Sequence, residues 1–185
     1  IQASIPSGSA LVELVEYRDL DPTRISADPA HGTARLAAFV LRSAGEPHWV
    51  PLGEAAAVDA SVRAFRVALV DAEGSQQELR KRARDLYDRL AAPLEPHLEG
   101  IRSVWIAPDG AATLVPFGAL IGPDGRYWVE RLELAYLTSG RDLLRLQVAR
   151  ESKDGPLVVA APDFGGGDLV KPSQLKRQRK KALAG

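Results

Sequence analysis

The sequence predicts an α/β domain, and three observations carry that prediction. β-prone runs open the chain, two amphipathic helical stripes follow them, and a short apolar run at residues 156–161 reads as a buried strand after both. With 185 residues, 45% of them hydrophobic, the chain can bury roughly 70% of its unfolded surface, as single domains of this size do. Its longest apolar runs fall well short of the ~20 residues a membrane span requires, so a cytoplasmic protein without membrane contact is expected.

The first strand is marked by Ala10, Val12, Leu14 and Tyr17 set among polar residues, and the second by the more continuous run 36–41. Residues 19–32 between them hold two prolines and a His-Gly pair, which break helix and strand alike and predict a surface connection. A third strand is expected at 47–52. Three successive strands joined by polar turns predict an antiparallel meander. From Glu54 the period lengthens: Val58, Val62, Phe65 and Leu69 share one helical face. Ser75 and Glu78 have the spacing of a capping box, and Leu79, Ala83, Leu86 and Leu90 form the next stripe, ending before Pro93. On that helix Arg80, Lys81, Arg82, Arg84 and Arg89 alternate with Glu78, Asp85 and Asp88, the pattern of a solvated face.

Residues 101–107 form a strand by composition, and Pro108-Asp109-Gly110 a turn, after which 113–115 is expected to return as an extended run. Gly122 to Gly125 makes a second turn. Residues 127–129 and 132–137 look extended, and Ser139 is placed to cap a short helix carrying Leu143, Leu144 and Leu146.

Charge and rare residues narrow the chemistry. The formal charge is zero, yet Lys171, Lys176, Arg177, Arg179, Lys180 and Lys181 crowd into the last fifteen residues without an acid. Residues 1–170 are therefore acidic, which argues against a nucleic-acid partner. There is no cysteine, which excludes disulfides, thiolate metal sites and any cysteine nucleophile within these residues. His31, His48 and His97 share no metal spacing, and no metal or other cofactor is expected. Asp109, Asp124 and Asp154 precede glycines in turns, which accounts for them without catalysis. Gly165 to Gly167 follow the expected buried strand, where doubly wound sheets cradle phosphates. They lack a P-loop Lys-Ser/Thr pair, a GxGxxG pattern and a following amphipathic helix, so a connector is the better reading. Ser7-Gly8-Ser9 precedes the first strand and is no nucleophile elbow.

Several segments in order carry a resemblance. They are "RLAAFVLRSAGEPHWVPLGEAAAVDASVRAFRVAL", the strand before PDG, "TLVPFGAL", "DGRYWVERLELAYLTSGRDLLRL" and "LVVAAPDF". Together, over about 10–164, they resemble the CHAT family, caspase-like cysteine peptidase domains commonly found beside tetratricopeptide repeats. The resemblance implies an α/β fold in which a β-meander and helices lead into the first strand of a caspase-like core. It further implies an amino-terminal noncatalytic part at 1–150, that first core strand with its loop at 151–170, and a basic loop between halves at 171–185.

The family's histidine base and cysteine thiolate sit at the ends of two later core strands, so the resemblance assigns no catalytic residue here. It makes the chain the noncatalytic half of a cysteine endopeptidase, predicted inactive alone. The implied partners are a carboxyl-terminal catalytic half, a tetratricopeptide-repeat or other regulatory segment, and a protein or peptide substrate. Ala161 replaces an acid that relatives often carry. Asp163, in the loop after the first core strand, becomes a candidate contact for a basic substrate side chain. Lys176, Arg177, Arg179, Lys180 and Lys181 become a candidate processing loop, since exposed polar connections are where chains are nicked. The rival readings are a catalytically inactive adaptor of the same fold and a nucleotide-binding α/β domain.

Overall fold

A computed structural model describes residues 1–19, 32–71 and 73–148. Residues Ile1–Ala149 form one compact unit. This unit is an α/β domain built on a five-stranded mixed sheet. Its strands are β1 (Ser9–Asp19), β2 (Thr33–Arg42), β3 (His48–Glu54), β4 (Ser103–Ala107) and β5 (Glu133–Tyr136), arranged in the order β3-β2-β1-β4-β5.

The expected meander is present. β1 and β2 pair antiparallel with Val12 opposite Val40, and β2 and β3 pair antiparallel with Ala38 opposite Val50. The register shifts between Leu36 and Ala37, whose partners are Gly53 and Pro51, so Leu52 is the extra residue of a bulge. Gly53 has a φ of +97°, which suits this irregular point. Pro51 and the bulge together make the outer edge of β3, the last strand of the sheet among the described residues, a poor template for further pairing.

Helices α1 (Ala55–Val70) and α2 (Gln76–Leu90) then carry the chain across one face of the sheet. β4 consequently joins the far side of β1 in parallel, with Leu11 opposite Trp105, and β5 extends the parallel set with Ala135 opposite Trp105. Period-two alternation aims Ala10, Val12, Leu14, Val40, Val104 and Ile106 at the helices. There they meet Val58, Val62 and Phe65 of α1 and Ala83, Leu86 and Leu90 of α2 in one core. Each large side chain buried in this way contributes about 1.5–3 kcal/mol relative to exposure. On the opposite face, Ile5, Leu11 and Leu143 form a smaller cluster among the described residues. Farther out, Phe39 and Trp49 contact edge to face at 4.8 Å, and Tyr17 and Trp49 at 5.3 Å.

Four local expectations are corrected. Leu69 does not share the buried face of Val58, Val62 and Phe65. It lies in a last turn of α1 whose Val67, Leu69 and Val70 are all exposed, so no described element packs over that turn. Ser75 caps α2 through the Gln77 N–H at 3.2 Å, but Glu78 does not reach back to complete the box and pairs with Arg82 instead. Residues 113–115 do not return as a strand. Gly110–Leu114 is a 3₁₀ turn, held by the Asp109 side chain at its start and by Thr113 Oγ donating to the Gly110 carbonyl at 2.8 Å. Trp128–Glu130 is likewise 3₁₀, because the Glu130 carboxylate accepts the Tyr127 N–H and closes the turn on itself.

The expected last helix forms as α3 (Asp142–Leu146). Its entry is fixed twice: Ser139 Oγ accepts the Arg141 N–H, and Asp142 Oδ2 accepts those of Thr138 and Ser139. The strand expected at 156–161 lies outside the described residues. Among the described residues, no helix is long and apolar enough to cross a membrane.

Candidate functional site

β1, β4 and β5 run parallel, so their carboxyl ends share one rim of the sheet, where α/β sheets commonly hold ligands. Acids gather along that rim, and Asp109 and Glu13 are tied to backbone. Asp109 Oδ1 accepts the Gly110 N–H at 2.8 Å, while Oδ2 accepts the Glu16 N–H at 2.9 Å, fastening the turn after β4 to β1. Glu13 Oε1 accepts the Gly140 N–H at 3.3 Å, fastening the segment after β5 to the same strand. The close approach at Gly140 is needed, since a Cβ there would stand 2.7 Å from Leu11 Cδ2. These carboxylates organise loops. Asp124 is also a turn residue, accepting the Arg126 N–H at 3.1 Å.

A second polar constellation lies where the end of α2 meets the 128–131 turn. Glu95 Oε1 accepts the Tyr87 hydroxyl at 2.7 Å and Trp128 Nε1 at 3.1 Å, and Oε2 accepts Arg131 Nη2 at 2.9 Å. Arg131 Nη1 also donates to the Tyr87 oxygen at 3.3 Å. Trp128 is fully buried and Tyr87 nearly so. Burial, followed by the hydrogen bond to Glu95, holds the Tyr87 hydroxyl above its ordinary pKa against the opposing influence of Arg131. The bond to Tyr87 is the leading cause that raises Arg131. Beside this knot a cleft of about 580 Å³ is lined by Pro96, Glu99, Gly100, Arg131 and Leu132. Three donors converge on one carboxylate, which makes Glu95 a clamp between α2 and the 128–131 turn.

The solvated face of α2 is as expected: Arg82 pairs with Glu78 and Asp85, and Arg84 with Asp88. The bond to Asp88 is also the main reason Arg84 is raised above its ordinary pKa. His48 and His97, far apart in sequence, stack with ring centroids 4.5 Å apart. Among the described residues no group of three or more His, Asp or Glu side chains is arranged to hold a metal ion.

The Glu95 knot was not visible as a site in the sequence. Its one signal was a Tyr and a Trp, each with a polar end to satisfy once buried. His31, Asp154, Asp163, Gly165 to Gly167 and the basic run Lys176, Arg177, Arg179, Lys180 and Lys181 lie outside the described residues.

Comparison with known proteins gives one positive finding. The CHAT domain family matches residues 80–184, more than half of the chain, from α2 onward. No curated protein and no solved structure matches. The matched stretch includes the Tyr87, Glu95, Trp128 and Arg131 knot and the parallel pair β4 and β5, and the chain belongs to the CHAT-domain family of caspase-like peptidases.

Proposed function

We propose that this chain is the noncatalytic amino-terminal part of a CHAT cysteine endopeptidase, completing the fold and shaping substrate access for a carboxyl-terminal half that carries the His/Cys dyad. The observation that carries this reading is the absence of cysteine from all 185 residues of a chain that belongs to a caspase-like peptidase family. Attack on a peptide carbonyl by such an enzyme needs a thiolate and a base within hydrogen-bond reach of it. The carboxylates of Glu13, Asp109 and Asp142 near the parallel strand ends support the reading too, since each holds backbone N–H groups.

Co-expression of this chain with the family's cysteine-bearing half tests it. The two should co-purify as a stoichiometric complex that melts above either part. A half that folds and cleaves peptides equally well without this chain would refute the proposal and leave the adaptor reading.

Two finer roles belong to the same proposal. Asp163 contacts a basic substrate side chain, so Asp163→Asn in the joined enzyme should raise KM for Arg and Lys peptides with little change in kcat. An equal effect on uncharged peptides would refute that role. The run from Lys176 to Lys181 is cut during activation. Mass spectrometry of the full-length protein should find fragments ending at Arg177, Arg179, Lys180 or Lys181, and their absence from active enzyme would refute processing there.

A further inference from the structure

The outer side of α1 carries apolar surface that no described element covers. Val67 and Val70 are 67% and 81% exposed, and Leu114, across from them on the 3₁₀ turn after β4, is 51% exposed. Between α1 and that turn runs a groove of about 420 Å³, floored by the buried Val62 and by Ala111. Single exposed apolar residues are ordinary, but three that line one groove make a contiguous patch of the kind that marks interaction sites.

The rim of the groove is charged asymmetrically. Arg63 and Arg66 stand on it one helical turn apart, both exposed, and neither has a hydrogen-bond or ion-pair partner among the described residues. The one acid on the rim, Asp59, lies four residues before Arg63, where a helix usually closes an ion pair, yet it forms none. α2 behaves differently: its Arg82 and Arg84 are both paired with acids on their own helix. Two free guanidinium groups beside an apolar trough present planar forks suited to carboxylates, with a place for side chains next to them.

We propose that the groove between α1 and the 110–114 turn is a docking site for an acidic amphipathic peptide segment of a partner protein. Its apolar residues fill the trough over Val67, Val70 and Leu114, and its Asp or Glu side chains pair with Arg63 and Arg66. The proposal stands apart from the peptidase reading, because binding is measured on this chain without any catalytic half.

The probe is a fluorescein-labelled helical peptide of leucine and glutamate with leucines at i, i+4 spacing, titrated with the full 185-residue chain. A leucine/lysine peptide and a serine/glutamate peptide serve as controls. Fluorescence anisotropy should show saturable binding of the leucine/glutamate peptide only, weakened by added salt. The R63E/R66E variant should bind it at least about tenfold more weakly and should now accept the leucine/lysine peptide, since reversing rim charges exchanges partner preference. The V67S/V70S variant should lose binding while keeping the wild-type melting temperature, because both side chains are exposed. Absence of saturable binding overturns the proposal, as does affinity indifferent to R63E/R66E. A concentration-dependent dimer that V67S/V70S abolishes would assign the groove to a second copy and also overturn it.

Discussion

Replacing Glu95 by alanine withdraws the acceptor from three donors at once. Trp128 Nε1 is left buried without a partner, which costs about 1–3 kcal/mol. The Tyr87 hydroxyl loses a 2.7 Å bond to a charged acceptor, worth about 1.5–3 kcal/mol, and part of that is recovered because the Tyr87 oxygen still accepts from Arg131. The Arg131 ion pair has both side chains roughly a third exposed, so its loss adds less than about 1 kcal/mol. The sum is about 3–5 kcal/mol. At about 2–4 °C per kcal/mol for a chain of this size, the melting temperature should fall by roughly 10 °C. Thermal denaturation followed by circular dichroism reads the global loss, and tryptophan fluorescence reads the site. Glu95→Gln keeps an acceptor without its charge and should fall by less than half as much. A Glu95→Ala protein that melts with the wild type would refute the assignment of Glu95 as the clamp between α2 and the 128–131 turn.

Other perturbations have defined outcomes. Gly140→Ala places a Cβ against Leu11 Cδ2 and 2.9 Å from Glu13 Oε2, and should destabilise by about 1–3 kcal/mol in urea titration; no change would mean the segment after β5 can yield. Asp109→Ala frees the Gly110 and Glu16 N–H groups and should cost about 1–2 kcal/mol in the same assay, with Asp109→Asn recovering part of it. Tyr87 is raised in the folded protein, so folded chains retain the proton that unfolded ones release near pH 10. Stability should therefore be fully present below about pH 10 and decline as pH rises above it, and Tyr87→Phe should flatten that alkaline decline relative to the wild type.

Where periodicity and turn chemistry agreed, the fold was readable in advance. The strands of the meander, the buried stripe of α2 and the Pro108-Asp109-Gly110 turn each follow from spacing together with side-chain type. What misled was local hydrogen bonding. Thr113 and Glu130 satisfy nearby backbone groups and tighten their segments into 3₁₀ turns, although Leu114, Val115, Tyr127 and Val129 are all β-prone. Leu69 obeys the helical period but lies where no described element packs, a fact of tertiary layout that periodicity does not contain. Glu95 was hidden for a related reason. Its partners at positions 87, 128 and 131 belong to two segments that meet only once the chain has crossed the sheet. The absence of cysteine, by contrast, needed no structure, and it shapes the functional reading more than any contact does.

If the chain is the noncatalytic part of the peptidase, its reactive thiolate and base come from outside these residues. Hydrolysis of fluorogenic Arg and Lys peptides by the purified 185-residue chain, alone and then mixed with the cysteine-bearing half, tests it most directly. No turnover is expected from the chain alone and thiol-reagent-sensitive turnover from the mixture; turnover by the chain alone, insensitive to thiol reagents, would overturn the assignment.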